Sequence, residues 1–437
     1  MLLNAGYAQA GEPLALRCRP AVSSLTTKAS GFSATQHPER FRIAADVQLH
    51  NRVDLIAALG SPGLKDNDDS ELLLAAFEKW GERCVDFIAG EFAFVIWDGR
   101  LRRLFCCRDH IGSRPFFYHF RYPRFVFGTD PSYILKSPGF SVELNRRKLR
   151  VMSTATAASA YPGETVHSGV FALPAATWIM ASESGLRQQA YWEPRVLPSL
   201  VPPRPRDAFE ALRELLFEAV ECRIRGFERV AVFLSGGLDS SALAAIASRS
   251  VPSDSTLLAP ASVLPDDHAP VLTDEREYID EFRSWPNIGI RYVTAPGQGP
   301  FDGIEDASRF ELNPFPSSRA FLARALEDRA VAGGAQIILE GLGGEYGLTA
   351  SGDGYSLELA ARLKGFALSR QLSELRRVNG ESPPRVLARE VRNMLSRRSE
   401  RSGALFSHDF RREQPAPDQF EFGSANHRTN QITELKA

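Results

Sequence analysis

The chain has 437 residues, 52 of them basic and 53 acidic. Such a balance excludes the basic footprint that nucleic acid or an anionic membrane surface would call for. The length is enough for two domains, each with its own core. Five cysteines show no Cys-x-x-Cys or Cys/His metal spacing and read as reduced, mostly buried thiols. Met1-Leu-Leu-Asn-Ala-Gly has neither a basic leader region nor a long apolar core, and no apolar run reaches membrane-spanning length. The expectation is a soluble cytoplasmic protein with no nucleic-acid or membrane partner.

The first elements mix strands and helices. Phe41–Ala45 reads as a short strand and Asn51–Leu59 as a helix. Asp69–Trp80 reads as an amphipathic helix with Leu72, Leu73, Ala76 and Phe77 inward. Four strands are predicted at Glu91–Trp97, Arg103–Arg108, Phe116–Phe120 and Arg124–Phe127, with a hairpin signal at Asp98-Gly99. Their crowded aromatic residues suit a sheet packed against a second layer. Cys106 and Cys107, adjacent in one strand, point to opposite faces.

The proline-rich stretch Pro194–Pro205 reads as a linker. An amphipathic helix follows over Arg206–Arg225, with Phe209, Leu212, Leu215, Leu216 and Val220 on the core side. Val230–Leu234 is apolar and reads as a buried parallel strand. It breaks at Ser235-Gly236-Gly237 and resumes as a small-residue helix from Ser240, with Asp239 at its mouth. Two glycines there leave room for a phosphate against the backbone N–H groups, and the helix start adds partial positive charge. The hydroxyls of Ser235 and Ser240 are further donors, and Asp239 can hold a magnesium ion. A plain strand–turn–helix corner would also use glycine, but would not need two hydroxyls and an acid beside it.

Beyond this loop strands alternate with helices. Thr256–Val263, Ile290–Val293 and Gln336–Leu339 are the strands; Asp274–Phe282 and Arg319–Val331 are the helices. That order predicts a parallel sheet with helices on both faces and ligands at the carboxyl ends of its strands. The last strand runs into the glycine-rich Glu340-Gly-Leu-Gly-Gly-Glu-Tyr346. A basic helix is predicted over Arg385–Arg398, and the tail Pro415–Ala437 is polar with weak periodicity.

Ser235-Gly-Gly-Leu-Asp-Ser-Ser241 resembles the pyrophosphate-binding loop of the ATP pyrophosphatase superfamily, and this version looks most like the asparagine synthetase family. Asp69-Ser-Glu71, Gly90-Glu-Phe-Ala-Phe-Val-Ile-Trp-Asp98 and Arg108-Asp-His-Ile-Gly-Ser-Arg-Pro115 follow one another as in that family's glutaminase domain. The resemblance implies an α/β protein. A degenerate Ntn-hydrolase-like α+β layered domain would span residues 1–196 and a linker residues 197–206. A doubly wound, adenine-nucleotide-hydrolase-like domain would span residues 207–437. It implies ATP and Mg²⁺: Leu234, Ser235, Gly236, Gly237, Asp239, Ser240, Val263 and Gly341 as nucleotide contacts, and Asp239 with Glu345 as catalytic metal ligands.

Departures from the family pattern refine the expectation. The glutaminase nucleophile is an N-terminal cysteine, whereas Leu2 follows Met1 here and Cys18 lies inside the chain. By the resemblance the chain begins roughly two to three dozen residues late and stops before a lysine-bearing C-terminal segment. Asp46-Val47 replaces an Asn-Gly oxyanion hole, where an anion would repel the developing charge. Asp69 matches the residue that grips the glutamine amine, although an acid at a helix start is equally a cap. Glu345 replaces an aspartate, and Leu342 replaces a glutamate that manages a proton, which leucine cannot do. Asp274-Glu275 resemble an acidic pair of the lasso-peptide branch, or else serve the helix dipole.

Glutamine hydrolysis is therefore not expected. The leading reading is an ATP-dependent amide ligase like the lasso-peptide macrolactam synthetases. Such an enzyme adenylates an Asp or Glu side chain of a precursor peptide, works beside a processing protease, and lets the peptide's own amine close the ring. Asparagine synthesis from free aspartate, with glutamine or ammonia, is the second reading. A truncated nucleotide-binding relic or partner subunit is the third.

Overall fold

A computed structural model describes residues 6–9, 40–61, 63, 68–122, 124–152, 163–195, 205–252, 255–263, 275–295, 297–302, 319–344, 349, 355–380 and 382–396. The chain divides into two units, one of residues 1–143 with 167–344, the other of residues 144–166 with 345–437. Met1, Leu2, Cys18, Asp274, Glu345, most of the predicted linker and the tail Pro415–Ala437 lie outside the described residues.

Among the described residues the first unit holds three sheets. Strands β2 (Phe41–Leu49), β3 (Gly90–Asp98), β4 (Arg103–Arg108), β8 (Thr177–Ser182) and β9 (Gly185–Ala190) form a five-stranded antiparallel sheet in the order β2-β3-β4-β8-β9. Strands β1 (Gly6–Gln9), β5 (Phe117–Arg121), β6 (Arg124–Gly128) and β7 (Phe171–Ala172) form a second, ordered β1-β6-β5-β7. The strand period of two sorts the side chains of the first sheet onto two cores. Ile43, Phe94, Phe105, Cys107 and Trp178 meet Leu72, Leu73, Ala76 and Phe77 of the helix Asp69–Trp80, inward as the periodicity predicts. From the other face Ala93, Val95, Cys106 and Ile179 meet Phe116, Tyr118, Phe125 and Phe127 of the second sheet. Cys106 and Cys107 thus do point to opposite layers. Burial pushes the Cys84 thiol up to about 12 and raises those of Cys106 and Cys107 further. The result is a helix–sheet–sheet layering.

The third sheet is parallel: β10 (Val230–Val232), β11 (Leu257–Ser262), β12 (Ile288–Val293) and β13 (Ile337–Leu339), in the order β12-β11-β10-β13. Val230, Val232 and Leu234 share one core with Val220 and Ile224 of the helix Pro205–Ile224 and with Ala244 and Ala247 of the helix Leu238–Ser250. Ala231 and Phe233 face the other way, onto Ala330 of the helix Ala320–Ala332. Helices on both faces make the sheet doubly wound. The chain steps outward from β10 to β11 and β12, then returns to place β13 on the opposite side of β10. This reversal opens a crevice beyond the carboxyl ends of β10 and β13.

The helix Pro205–Ile224 corrects one expectation. Val220 and Ile224 are buried, but Phe209 (69% exposed) and Leu215 (61% exposed) lie open, and Leu212 is also exposed. Only the C-terminal half of the predicted stripe is covered, because only that half runs beside the sheet's core cluster.

The second unit consists of the helices Arg146–Met152, Tyr355–Ala361, Gly365–Asn379 and Pro383–Ser396 among its described residues. Among its described residues Val166, Leu359 and Val386 are the buried apolar ones, and the buried Glu390 accepts from the Leu357 N–H at 3.2 Å. Among the described residues no helix is long and apolar enough to cross a membrane.

Candidate functional site

The crevice is lined first by the segment that leaves β10. Phe233 N–H donates to the Leu339 carbonyl (3.0 Å) and Leu234 N–H to that of Pro260 (3.0 Å). The chain is thereby held between β13 and β11 up to its last buried residue, Leu234. Ser235, Gly236 and Gly237 then turn into the helix Leu238–Ser250, whose N-cap is Gly237. The helix starts two residues earlier than the sequence pattern predicts, which puts Asp239 inside its first turn.

Hydroxyls hold the turn. Ser235 Oγ and Ser240 Oγ are 2.8 Å apart; Ser240 Oγ accepts from Ser235 N–H at 3.1 Å and Ser235 Oγ accepts from Gly237 N–H at 3.2 Å. Gly236 N–H donates to Oε2 of Glu275 at 2.9 Å, a contact that no local sequence pattern signals. Glycine is needed here for space. A Cβ on Gly236 would stand 3.0 Å from Glu275 Cβ and from the Tyr278 ring.

The segment leaving β13 closes onto the same helix start. A Cβ on Gly341 would stand 3.0 Å from Ser240 N and 3.2 Å from Asp239 Cβ. One on Gly344 would fall 2.2 Å from Asp239 Cγ, with both carboxylate oxygens within 2.5 Å. The Gly343-Gly344 pair of the sequence was the available signal for this approach. The structure therefore brings together Leu234, Ser235, Gly236, Gly237, Asp239, Ser240 and Gly341. Val263 directly follows β11, its N–H bonded to Val293 O at 3.1 Å and its side chain buried in the sheet's core. Glu345 lies outside the described residues. Leu342, 81% exposed, presents no acid or base.

The loop suits a phosphate group on its own chemistry. It offers consecutive backbone N–H groups, two hydroxyls and a helix start, and its two glycines put no side chain of their own into the cradle. The Asp239 carboxylate in its first turn is a hard oxygen donor of the kind magnesium takes. Among the described residues no three His, Cys, Asp or Glu side chains are placed to hold a metal by themselves. A metal here would depend on phosphate oxygens as well.

A second polar cluster lies where β2 and β3 meet the segment after β4. Arg114 stands 3.7 Å from Asp46 and 3.4 Å from Glu91, and Arg223 stands 3.3 Å from Glu91. Gln48 Nε2 donates to the Arg223 carbonyl at 2.7 Å. Burial raises the Asp46 pKa, with Arg114 opposing and Glu91 reinforcing the shift. Burial lowers that of His50, helped by Arg223. Asp69 is not the helix cap: Asp68 accepts from Glu71 N–H at 2.8 Å in that role. Asp69 instead accepts from Leu49 N–H on Oδ2 at 2.7 Å and pairs through Oδ1 with Arg52, so that the two partners together engage both oxygens.

Comparison with known proteins follows this division. A family model described as a glutamine amidotransferase domain matches residues 17–192, and one described as asparagine synthase matches residues 211–436. "Asparagine synthetase [glutamine-hydrolyzing] 3" of Bacillus subtilis is 32% identical over 222 residues, 49% of this chain and 35% of that protein. "Amidase chry2" of Gibberella zeae is 26% identical over 300 residues, 64% of this chain and 42% of that one. "Putative asparagine synthetase [glutamine-hydrolyzing]" of Mycobacterium tuberculosis is 28% identical over 225 residues, 49% of this chain and 34% of that one. The chain thus spans about a third to two fifths of the length of these relatives.

Proposed function

Because the chain belongs to the asparagine synthase family, we propose that it is an ATP-dependent amide ligase that takes its amine from somewhere other than glutamine. The observation that carries this reading is the Ser235–Gly237 turn at the strand-order reversal, with Asp239 packed under Gly341 and Gly344. In the proposed reaction a carboxylate attacks the α-phosphate of ATP, pyrophosphate leaves, and an amine displaces AMP. Residues 1–196 then serve as a non-hydrolysing companion to the nucleotide-binding residues 207–437.

Each site residue has a role in this reading. The N–H groups of Ser235, Gly236 and Gly237 and the hydroxyls of Ser235 and Ser240 hold the departing pyrophosphate, with the charge preorganised rather than recruited. Leu234, Val263 and Gly341 form the walls beside the nucleotide. Asp239, with Glu345, would hold Mg²⁺, which when bound supplies positive charge to the phosphates. Gly344 leaves the Asp239 carboxylate its place.

Two observations favour an amine source other than glutamine. Both Asp69 oxygens are engaged by Leu49 N–H and Arg52, and the Asp46 carboxylate, 3.7 Å from Arg114, is an acid where the family resemblance puts an oxyanion hole. With the Leu342 side chain in place of an acid, a substrate that brings its own amine fits best. The preferred substrate is a precursor peptide whose Asp or Glu side chain is joined to its own N-terminal amine. Asparagine synthesis from free aspartate, with glutamine or ammonia, is the second reading, favoured by the synthetases named among the relatives.

Carboxylate-dependent ATP–pyrophosphate exchange tests this. It is run with a candidate precursor peptide and with aspartate, with and without ammonia, beside Asp239→Ala. Exchange with peptide alone, abolished in Asp239→Ala, is the expected result. Exchange with aspartate would replace the peptide reading by asparagine synthesis. Absence of exchange with every carboxylate would overturn the ligase reading for this chain.

A further inference from the structure

The three amides of the phosphate turn are unequally occupied. Ser235 N–H and Gly237 N–H turn to the hydroxyls of Ser240 and Ser235, both within the loop itself. Gly236 N–H, the central one, turns to a carboxylate from another element, Glu275, at 2.9 Å. Glu275 precedes the short helix Arg276–Asp280, and its carbonyl accepts from Tyr278 N–H and Ile279 N–H, both at 3.1 Å. Ile279 is fully buried, and Phe282 nearly so, in the core of the parallel sheet. The backbone of Glu275 is therefore pinned, while its side chain and that of Tyr278 (57% exposed) lie at the surface over Gly236.

One N–H makes one strong hydrogen bond, so Gly236 can serve the carboxylate or a phosphate oxygen but not both. We infer that Glu275 is a displaceable carboxylate that occupies a phosphate position on the Gly236 amide until a magnesium-complexed polyphosphate takes it. This rests on the nucleotide-binding reading above and adds to it a residue controlling entry. The geometry supports it twice. The contact is charge-assisted and close to ideal in length, and the missing Gly236 side chain is what lets the Glu275 and Tyr278 side chains lie against the turn. Two consequences follow. The binding-competent turn is only part of the nucleotide-free population, which weakens apparent affinity by that fraction. Glu275 also adds a negative charge at the turn, so a bare polyphosphate meets more repulsion than its magnesium complex.

Calorimetric titration of the full-length chain with inorganic pyrophosphate and with ATP, each with magnesium and with EDTA, tests the inference. Glu275→Ala is expected to bind ATP and pyrophosphate about tenfold tighter than the parent in EDTA, equal to about 1.4 kcal/mol. The gain shrinks in magnesium. Glu275→Gln, close in shape and still able to accept from Gly236 N–H, is expected to fall between the two, which guards against a folding artefact in the alanine variant. Measurable parent binding with equal or weaker binding by both variants would overturn the gate and leave the nucleotide site standing. Failure of all three proteins to bind either ligand would overturn the gate and the nucleotide site together.

Discussion

Gly344 and Asp239 show how little tolerance the proposed nucleotide site has at single positions. A Cβ at Gly344 would sit 2.2 Å from Asp239 Cγ, far inside van der Waals contact, so Gly344→Ala must turn the carboxylate away. Gly344→Ala and Asp239→Ala are therefore each expected to weaken magnesium–ATP binding at least ~10-fold, with unchanged circular dichroism. Normal affinity in Gly344→Ala would mean that the carboxylate's position does not matter. Asp46 gives a second test. An acid whose folded pKa is raised holds its proton more tightly folded than unfolded. Its contribution to stability is complete below the ordinary value near 3.8 and is lost as the pH rises through the raised one. Asp46→Asn cannot ionise and escapes that loss. Its stability relative to the parent, from urea titrations, should rise between about pH 3.5 and about pH 7. A relative stability that falls over that range would mean that attraction to Arg114 outweighs burial.

At the scale of elements, the helix Pro205–Ile224 separates what periodicity reports from what packing decides. Its apolar stripe runs the whole length, yet Val220 is 3% exposed and Leu215 61%. Val220→Ala should cost about 1–3 kcal/mol, whereas Leu215→Ser should stay within about 0.5 kcal/mol, both from urea unfolding; equal losses would place the core wrongly. The phosphate turn was legible because an apolar run, two glycines and a small-residue helix each carry a local signal. Strands β8 and β9 were not. Thr177–Ala181 is buried at every position and so lacks alternation, while Gly185–Ala190 is polar and exposed and is a strand only through pairing with β8. The same limit applies in the site: Asp239 and Gly341 carry motif signals, but Glu275 reaches Gly236 across 39 residues of sequence, through tertiary folding alone. Asp68, rather than Asp69, makes the cap, a one-residue distinction that capping preference cannot resolve when two aspartates are adjacent.

Across the whole molecule, glutaminase-like and synthetase-like parts of the chain are joined by polar side chains. Gln48 and Glu91 on β2 and β3 reach Arg223 on the helix Pro205–Ile224, and Arg114 ties Glu91 to Asp46. The residues placed for glutamine by family resemblance are thus engaged in structure, while those placed for nucleotide retain glycine-lined space. A ligand that binds only the folded state stabilises it by mass action, about 2.7 kcal/mol at a hundredfold excess over its dissociation constant. Magnesium–ATP at that excess should therefore raise the thermal midpoint of the parent clearly more than that of Asp239→Ala. L-glutamine at millimolar concentration should shift neither, because Asp69 is already bound to Leu49 N–H and Arg52. A glutamine-dependent shift, lost in Asp69→Asn, would show that this pair opens for the amino acid and would restore a glutamine-binding role to the N-terminal sheet. A shift with magnesium–ATP alone would leave that sheet as scaffold and the parallel sheet as the site of chemistry.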